Sequence, residues 1–363
     1  MRTTKNTDVA FAKFHGLGND FIVVGAEGLP RSLPKFVTRI LDRHTGIGAD
    51  GLLVAMRPHN KKHEARVRFF NPDGSEAEMS GNGIRCAGAF LAGLFPRKQI
   101  FLIETAAGVK SLEKVGAGVH KNAMIPLLVK EGLGVVNRDA NAGAHHPRTP
   151  LPPRRGATFM AAKGKWLFRV GMGAPVLDPA KIPFKAGDFP PPIRNFALRT
   201  QRGEVQATVT SMGNPHCSIF VEDFAAPIPR AAGPAPVPSK SSQWLEIAAL
   251  KGGASPPAAW ETLGREIETN PLFPNCTNVE FVRVLTRSEI EVRFWERGAG
   301  HTMSSGTGSC AAAVASILNG MTERQVRVRT EGGSLQVDWP ENGQVILTGP
   351  VERIAQGTYN YTP

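Results

Sequence analysis

A chain of 363 residues with 41% hydrophobic and 20% charged residues has the composition of a soluble globular protein, long enough for one large domain or two ordinary ones. No apolar run approaches the roughly 20 residues that cross a bilayer, so no membrane partner is expected, and the opening MRTTKNTDVAFAKFHG lacks the apolar core and small-residue cleavage site of a signal peptide. The formal charge of +12 is scattered, in short pairs such as those of NKKH and PPRRG without interleaved aromatics, which argues against nucleic acid and leaves a small anionic substrate or plain solubility as its meaning.

Taken in chain order, FAKFHGLGNDFIVV reads as strand, glycine turn, strand, and RVRFFNPDGSEAEM as a strand running into an Asn-Pro-Asp-Gly turn. GIRCAGAFLAGLF then carries apolar residues at helical spacing with little β-branching, which predicts a buried helix starting just after Ser80-Gly81-Asn82. Proline-rich stretches follow near 145–155 and 225–262 and read as surface insertions. Beyond them TNVEFVRVL, EIEVRFWERG, RQVRVRT, GSLQVDW and GQVILTG alternate as strands, and SCAAAVASILNG is a second buried helix that stops at Asn-Gly. The chain therefore divides into two α+β units, in each of which strands lead into a Ser-Gly-X-Gly turn that opens an alanine-rich helix.

The two turns, Ser80-Gly81-Asn82-Gly83 and Ser305-Gly306-Thr307-Gly308, stand 225 positions apart and suggest an internal duplication. Glycines ahead of a helix leave its first N–H groups uncovered, and those donors, at the positive end of the helix, bind a carboxylate or phosphate. Two such helix starts facing each other would hold one anion from both sides, and a proton-exchanging residue ahead of each would serve opposite faces of the adjoining carbon. The chemistry so arranged is racemisation or epimerisation. On spacing alone, Ser80 and Ser305 read equally well as simple helix caps.

Other motifs carry less. The spacing of a dinucleotide-binding fingerprint and of a P-loop is missing, and His145-His146 lies in a proline-rich loop without a third ligand nearby, so neither cofactor nor metal is expected. Cys86, Cys217, Cys276 and Cys310 fit neither a zinc site nor a disulfide framework, which suits a reducing cytoplasm.

The blocks FHGLGNDFIVV, GIGADGLL, FFNPDGSEAEMSGNGIRCAGAF, SMGNPHCSIFV, LFPNCTNVEFV and VRFWERGAGHTMSSGTGSCAAAV together resemble the diaminopimelate epimerase family, in its order and over almost the whole chain. The resemblance implies two similar pseudo-symmetric domains, each a mixed or antiparallel sheet wrapped around a central helix, with the active site in the cleft between them. On this reading the domains are 1–125 with the returning tail 350–363, and 126–349. It further implies a cytoplasmic homodimer that interconverts LL- and meso-diaminopimelate, for lysine and peptidoglycan precursors, by two-base α-proton transfer without a cofactor. Carried over position by position, the proton-moving pair falls on positions 80 and 305, supported by His216 and Glu296. The substrate carboxylate falls on Gly81-Asn82 and Gly306-Thr307, its other polar groups on Asn19, Asn71, Asn214 and Asn278, an amino group on Glu296 and the distal carboxylate on Arg297.

One departure is chemical. The family pattern has cysteine before Gly81 and before Gly306, and this chain has serine at both places; His301 also stands where the family commonly has Glu. A thiol ionises near pKa 8.5, lower still at a helix N-terminus, whereas an alcohol is several units weaker, each unit corresponding to about 1.4 kcal/mol. The serines then need a neighbouring base, for which His301 and His216 are the sequence candidates. Three readings stay open: an epimerase with weakened chemistry, an isomerase or dehydratase of the same superfamily acting on another amino acid, and a silent amino-acid-binding relative.

Overall fold

In the computed structural model, residues 7–30, 32–115, 164–224 and 259–362 are described. The first half runs β1 (Thr7–Gly16), β2 (Asn19–Gly25), α1 (Leu33–Leu41), β3 (Gly51–Met56), β4 (Ala65–Phe70), β5 (Glu76–Ala77), α2 (Gly81–Leu94), β6 (Ile100–Thr105), β7 (Gly108–Lys114) and β8 (Lys165–Gly173). The second runs β9 (Phe196–Thr200), β10 (Gly203–Ser211), β11 (Pro215–Phe220), α3 (Ala259–Glu268), β12 (Asn278–Thr286), β13 (Glu289–Glu296), β14 (Gly300–Thr302), α4 (Gly306–Leu318), β15 (Gln325–Thr330), β16 (Gly333–Asp338) and β17 (Val345–Tyr361).

The strands close into two rings. Strands β1, β2, β3, β4, β6, β7, β8 and β17 form the first ring, whose last strand returns to pair with β1 from Thr7–Tyr361 to His15–Glu352. Strands β10, β11, β12, β13, β15, β16, β17 and β8 form the second, closed by a bridge between Val176, just past β8, and Ser211. The antiparallel pair β8–β17 thus belongs to both rings. Unbroken from Val345 to Tyr361, β17 runs across position 350, where sequence placed a domain boundary; the other expected boundary, at 125/126, lies outside the described residues.

Each ring encloses one helix. An eight-stranded ring leaves little space around a helix inside it, and α2 and α4 are rich in glycine and alanine, as GNGIRCAGAFLAGL and GTGSCAAAVASIL show. A Cβ on Gly88 would lie 2.7 Å from Leu112 Cδ2, so larger residues have no room. Helix α4 ends as its sequence predicts, with Asn319 as C-cap and Gly320 at φ +69°. Helices α1 and α3 lie on the outer faces, and strand alternation separates the two sides. On β2, Phe21 and Val23 join the core around α2, while Ile22 and Val24 pack with Phe36, Val37 and Ile40 of α1.

The expected insertion at 145–155 lies outside the described residues, as do residues 225–258 of the second. The remainder of that second stretch is not loop: Ala259 opens α3, with Trp260 buried against Phe281, because the Trp260, Leu263, Ile267 spacing supplies an apolar helix face that the proline-rich composition just before it hides.

Phe168 of β8 is fully buried in the core shared by the rings. Replacing it with Ala should cost about 3–5 kcal/mol. Because β8 serves both rings, urea unfolding should show a single transition moved to lower urea, not a separate early transition for one half.

Candidate active site

The halves correspond residue for residue around the two serines. In the first, Val23 pairs with Leu53 and Leu53 with Phe69; in the second, Ser218 pairs with Glu280 and Glu280 with Phe294. Phe69 to Ser80 and Phe294 to Ser305 then run the same number of residues, so Asn71 corresponds to Glu296, Asn82 to Thr307 and Arg85 to Cys310.

Ser80 caps α2 with its Oγ accepting from Gly83 N at 3.1 Å, and Ser305 caps α4 through Gly308 N at 3.2 Å. Their backbones are nearly identical, φ −126° and ψ 132° against φ −125° and ψ 131°. The helices meet head to head: a Cβ on Gly306 would lie 2.7 Å from Gly81 Cα, and one on Gly81 would lie 2.8 Å from Gly306 Cα. Only glycine permits that approach. Two positive helix ends and their N–H groups converge on one place, an arrangement that can hold an anion.

Asn82 joins the halves across it. Its amide donates to Asn19 Oδ1 and to the Ser304 carbonyl, each at 3.0 Å, and its Oδ1 accepts from Arg85 Nη2 at 2.7 Å. Asn19 follows a tight turn in which Leu17 and Gly18 have φ +57° and +88°; it donates to Asp50 Oδ2 at 2.9 Å. Beneath it, burial of Asp20 opposes ionisation, but hydrogen bonds from Arg43 and Lys13 outweigh it and hold the carboxyl below its ordinary range. The Leu17 turn also fastens the halves, since a Cβ on Gly332 would lie 1.9 Å from the Leu17 carbonyl oxygen.

On the second side, Ser305 donates to Glu296 Oε2 at 2.8 Å, and Thr302 donates to Glu296 Oε1 at 2.6 Å. Glu296 keeps part of its surface open, yet its carboxyl is closely surrounded, and burial pushes it above the usual range against the pull of those two hydroxyls. Behind it lies a buried pair, His216 Nδ1 with Glu280 Oε1 at 2.6 Å, while His216 Nε2 meets Asn214 Oδ1 at 3.0 Å.

Sequence proposed His216 or His301 as the base beside the serines. Neither bonds to a serine: both His216 ring nitrogens are engaged elsewhere, and exposed His301 packs on Trp260 and pairs with Glu331 and Glu261. Glu296 is the side chain that accepts from Ser305 instead, because it ends β13 just where the chain turns back through β14 toward Ser305. The structure brings Ser80, Gly81, Asn82, Asn19, Ser305, Gly306, Thr307 and Glu296 to the helix heads. Asn278 donates to Pro215 O and accepts from Arg297 N, both at 3.0 Å, and among the described residues the exposed Arg297 guanidinium donates to Asn275 O at 3.0 Å. Asn71 bonds Ser75 Oγ at 2.9 Å.

Cys86, Cys310 and Cys217 do not replace the missing thiols. Burial pushes Cys86 and Cys310 up to about 12 and Cys217 well above its ordinary value, so all three stay protonated at neutral pH. Sequence reading missed Glu280 and Arg85. Each had a signal: an acid inside the apolar strand TNVEFV, and a cation inside the apolar helix GIRCAGAF, both of which demand buried partners. Arg85 is fully buried, donates to Gly81 O at 2.9 Å, and leaves Nε without a partner; burial lowers it to about 10, which still leaves it charged. A groove of about 690 Å³ lined by Arg199, Arg202, Arg265 and Glu266 lies elsewhere and shares no residue with this site.

A family profile described as diaminopimelate epimerase matches residues 11–124 and 255–354. The chain belongs to the diaminopimelate epimerase family. The diaminopimelate epimerase of Pelotomaculum thermopropionicum is 38% identical over 359 residues, spanning 97% of this chain and 99% of its own length. That of Halothermothrix orenii is 34% identical over 352 residues, spanning 96% and 97%. Among solved structures, a hydroxyproline epimerase from Agrobacterium vitis, with bound trans-4-hydroxy-L-proline, matches at TM-score 0.57 and 12% identity over 100% of this chain and 95% of its own. A methylitaconate-delta-isomerase matches at TM-score 0.53 and 14% identity over 98% and 96%. At those identities the likeness concerns fold alone, and the fold is that of the α+β epimerases.

Gly306→Ala tests the head-to-head contact. The added methyl should push the helix heads apart at a cost of about 1–3 kcal/mol, read as a lower urea midpoint. Gly298→Ala, with open space around its Cβ but φ +75°, controls for backbone strain and should cost less than Gly306→Ala.

Proposed function

We propose that the chain binds diaminopimelate in the cleft between the helix heads and interconverts its LL and meso forms by α-proton transfer, without a cofactor, in the supply of lysine and peptidoglycan precursors. The observation that carries this reading is the convergence of α2 and α4 at Gly81 and Gly306 with one hydroxyl on each side. The α-carboxylate takes the N–H groups of Gly81-Asn82 and Gly306-Thr307. Ser80 and Ser305 then flank the α-carbon as the two proton-moving groups, with Glu296 behind Ser305 and His216 supporting from beneath. Asn19, Asn71, Asn214 and Asn278 hold the substrate's remaining polar groups, Glu296 also meets an amino group, and Arg297 swings from Asn275 to take the distal carboxylate in a two-pronged contact. The same reading carries a cytoplasmic homodimer whose first domain comprises 1–125 and 350–363 and whose second comprises 126–349.

Serine favours one rival, a silent binder, since a hydroxyl caps a helix as a thiol does but gives up its proton far less readily. Binding and chemistry are therefore measured apart. Diaminopimelate at 100 times its Kd should stabilise the chain by about 2.7 kcal/mol in a thermal shift, and proline or hydroxyproline should not. Stabilisation by proline alone would sink the substrate assignment. Epimerisation followed by circular dichroism should rise at least about 100-fold in Ser80→Cys/Ser305→Cys, two pKa units each being worth tenfold in rate; binding without any gain supports the silent binder.

A further inference from the structure

The two serines have matching backbones and unlike surroundings. Under Ser305, three inward-facing positions carry Glu296, His216 and Glu280, and Ser305 donates directly to Glu296. At the same register positions the first half carries Asn71, Phe21 and Leu53. Phe21 and Leu53 belong to the apolar core, and the ring edge of Phe21 would lie 3.3 Å from a Cβ on Gly83, where Glu280 Oε1 would lie 3.0 Å from one on Gly308. Asn71 is exposed, turned to Ser75, and an amide accepts no proton at neutral pH. Among the described residues, the Ser80 hydroxyl has no hydrogen bond to a carboxylate or an imidazole.

We infer that the site works unequally: the Ser305–Glu296 pair exchanges the substrate α-proton on its face quickly, and the Ser80 face limits epimerisation. This rests on the substrate reading above. In the fast step the α-carbon–hydrogen bond breaks, its proton passes to Ser305 Oγ, and the serine's own proton passes to Glu296. The electron pair stays on the α-carbon, delocalised into the carboxylate held by the helix heads. Rotation of the Ser305 hydroxyl hands the proton taken from carbon on to Glu296, part of whose surface is open to solvent, and reversal then returns a solvent-derived proton to the same face. At Ser80 the same step has no carboxylate to receive the serine proton.

Deuterium incorporation and epimerisation are followed together by NMR in deuterated water, starting separately from LL- and meso-diaminopimelate, with thermal shift on the same samples. One stereoisomer should gain α-deuterium with retention at least about 10 times faster than it epimerises, and the other only as fast as it epimerises. Glu296→Gln should slow the fast exchange about 100-fold or more, as loss of a general base does. Ser80→Cys and, separately, Asn71→Glu should bring epimerisation closer to the exchange rate. Binding with equal rates from both stereoisomers, binding with no exchange at all, or exchange indifferent to Glu296→Gln overturns the inference alone. Absence of stabilisation by diaminopimelate overturns the substrate reading and the inference with it.

Discussion

Everything at the centre of this molecule follows from two helices meeting by their N-termini. Like ends of two dipoles repel, and unpaired N–H groups are costly to bury, so the approach of Gly81 to Gly306 must be held from outside. The rings supply the hold. Each helix is enclosed by eight strands, and because β8 and β17 belong to both rings, neither helix can withdraw without opening a ladder. Asn82 bridges the gap to Asn19 and Ser304, and Arg85 adds a buried positive charge one turn behind the α2 head, against the Gly81 carbonyl. The result is a concentration of positive potential at the helix heads. On the proposed reading, electrostatic preorganisation of this kind stabilises the charge that builds on a carboxylate when its α-proton leaves.

Much of this is legible in the amino-acid sequence. Strand alternation, the Asn-Gly stop and the repeated Ser-Gly-X-Gly turn locate both helices and their caps, since these signals are local and depend on residue type alone. The duplication is plainest at the turn; elsewhere the halves share only short matches in register, Val67-Arg68-Phe69 with Val292-Arg293-Phe294 and Gly18-Asn19 with Gly213-Asn214, and Phe21 against His216, or Leu53 against Glu280, shows no kinship as text. Equivalence there lives in hydrogen-bond pairing, which a sequence does not display. The direct contact of Ser305 with Glu296, which the family resemblance names only as a support of the pair, escapes sequence reading for a related reason. Histidine is the usual base, which points to His216 and His301, whereas the group in reach is decided by the β13–β14 hairpin that folds Glu296 back onto the helix head.

The first half serves as an internal control for the second. It builds the same ring, the same enclosed helix and the same serine cap with Phe21 and Leu53 where the second half buries His216 and Glu280. Folding therefore does not require the polar pair. A buried ion pair commonly costs more in lost hydration than its attraction returns, and apolar residues of like volume are often as stable or better. Keeping a histidine and a carboxyl beneath one serine and not the other is a choice that the architecture leaves free, and a further difference lies above them: Ser305 donates to the Glu296 carboxylate, and Ser80 has no such bond among the described residues. With thiols, which ionise within reach of neutral pH, such asymmetry would matter less, since each could hold its own negative charge. Alcohols cannot. On the proposed reading, replacing sulfur by oxygen at both caps leaves the helix heads free to hold an anion and moves the burden of proton transfer onto whatever base each serine can touch, so that the difference between Glu296 and Asn71 decides how the two faces work.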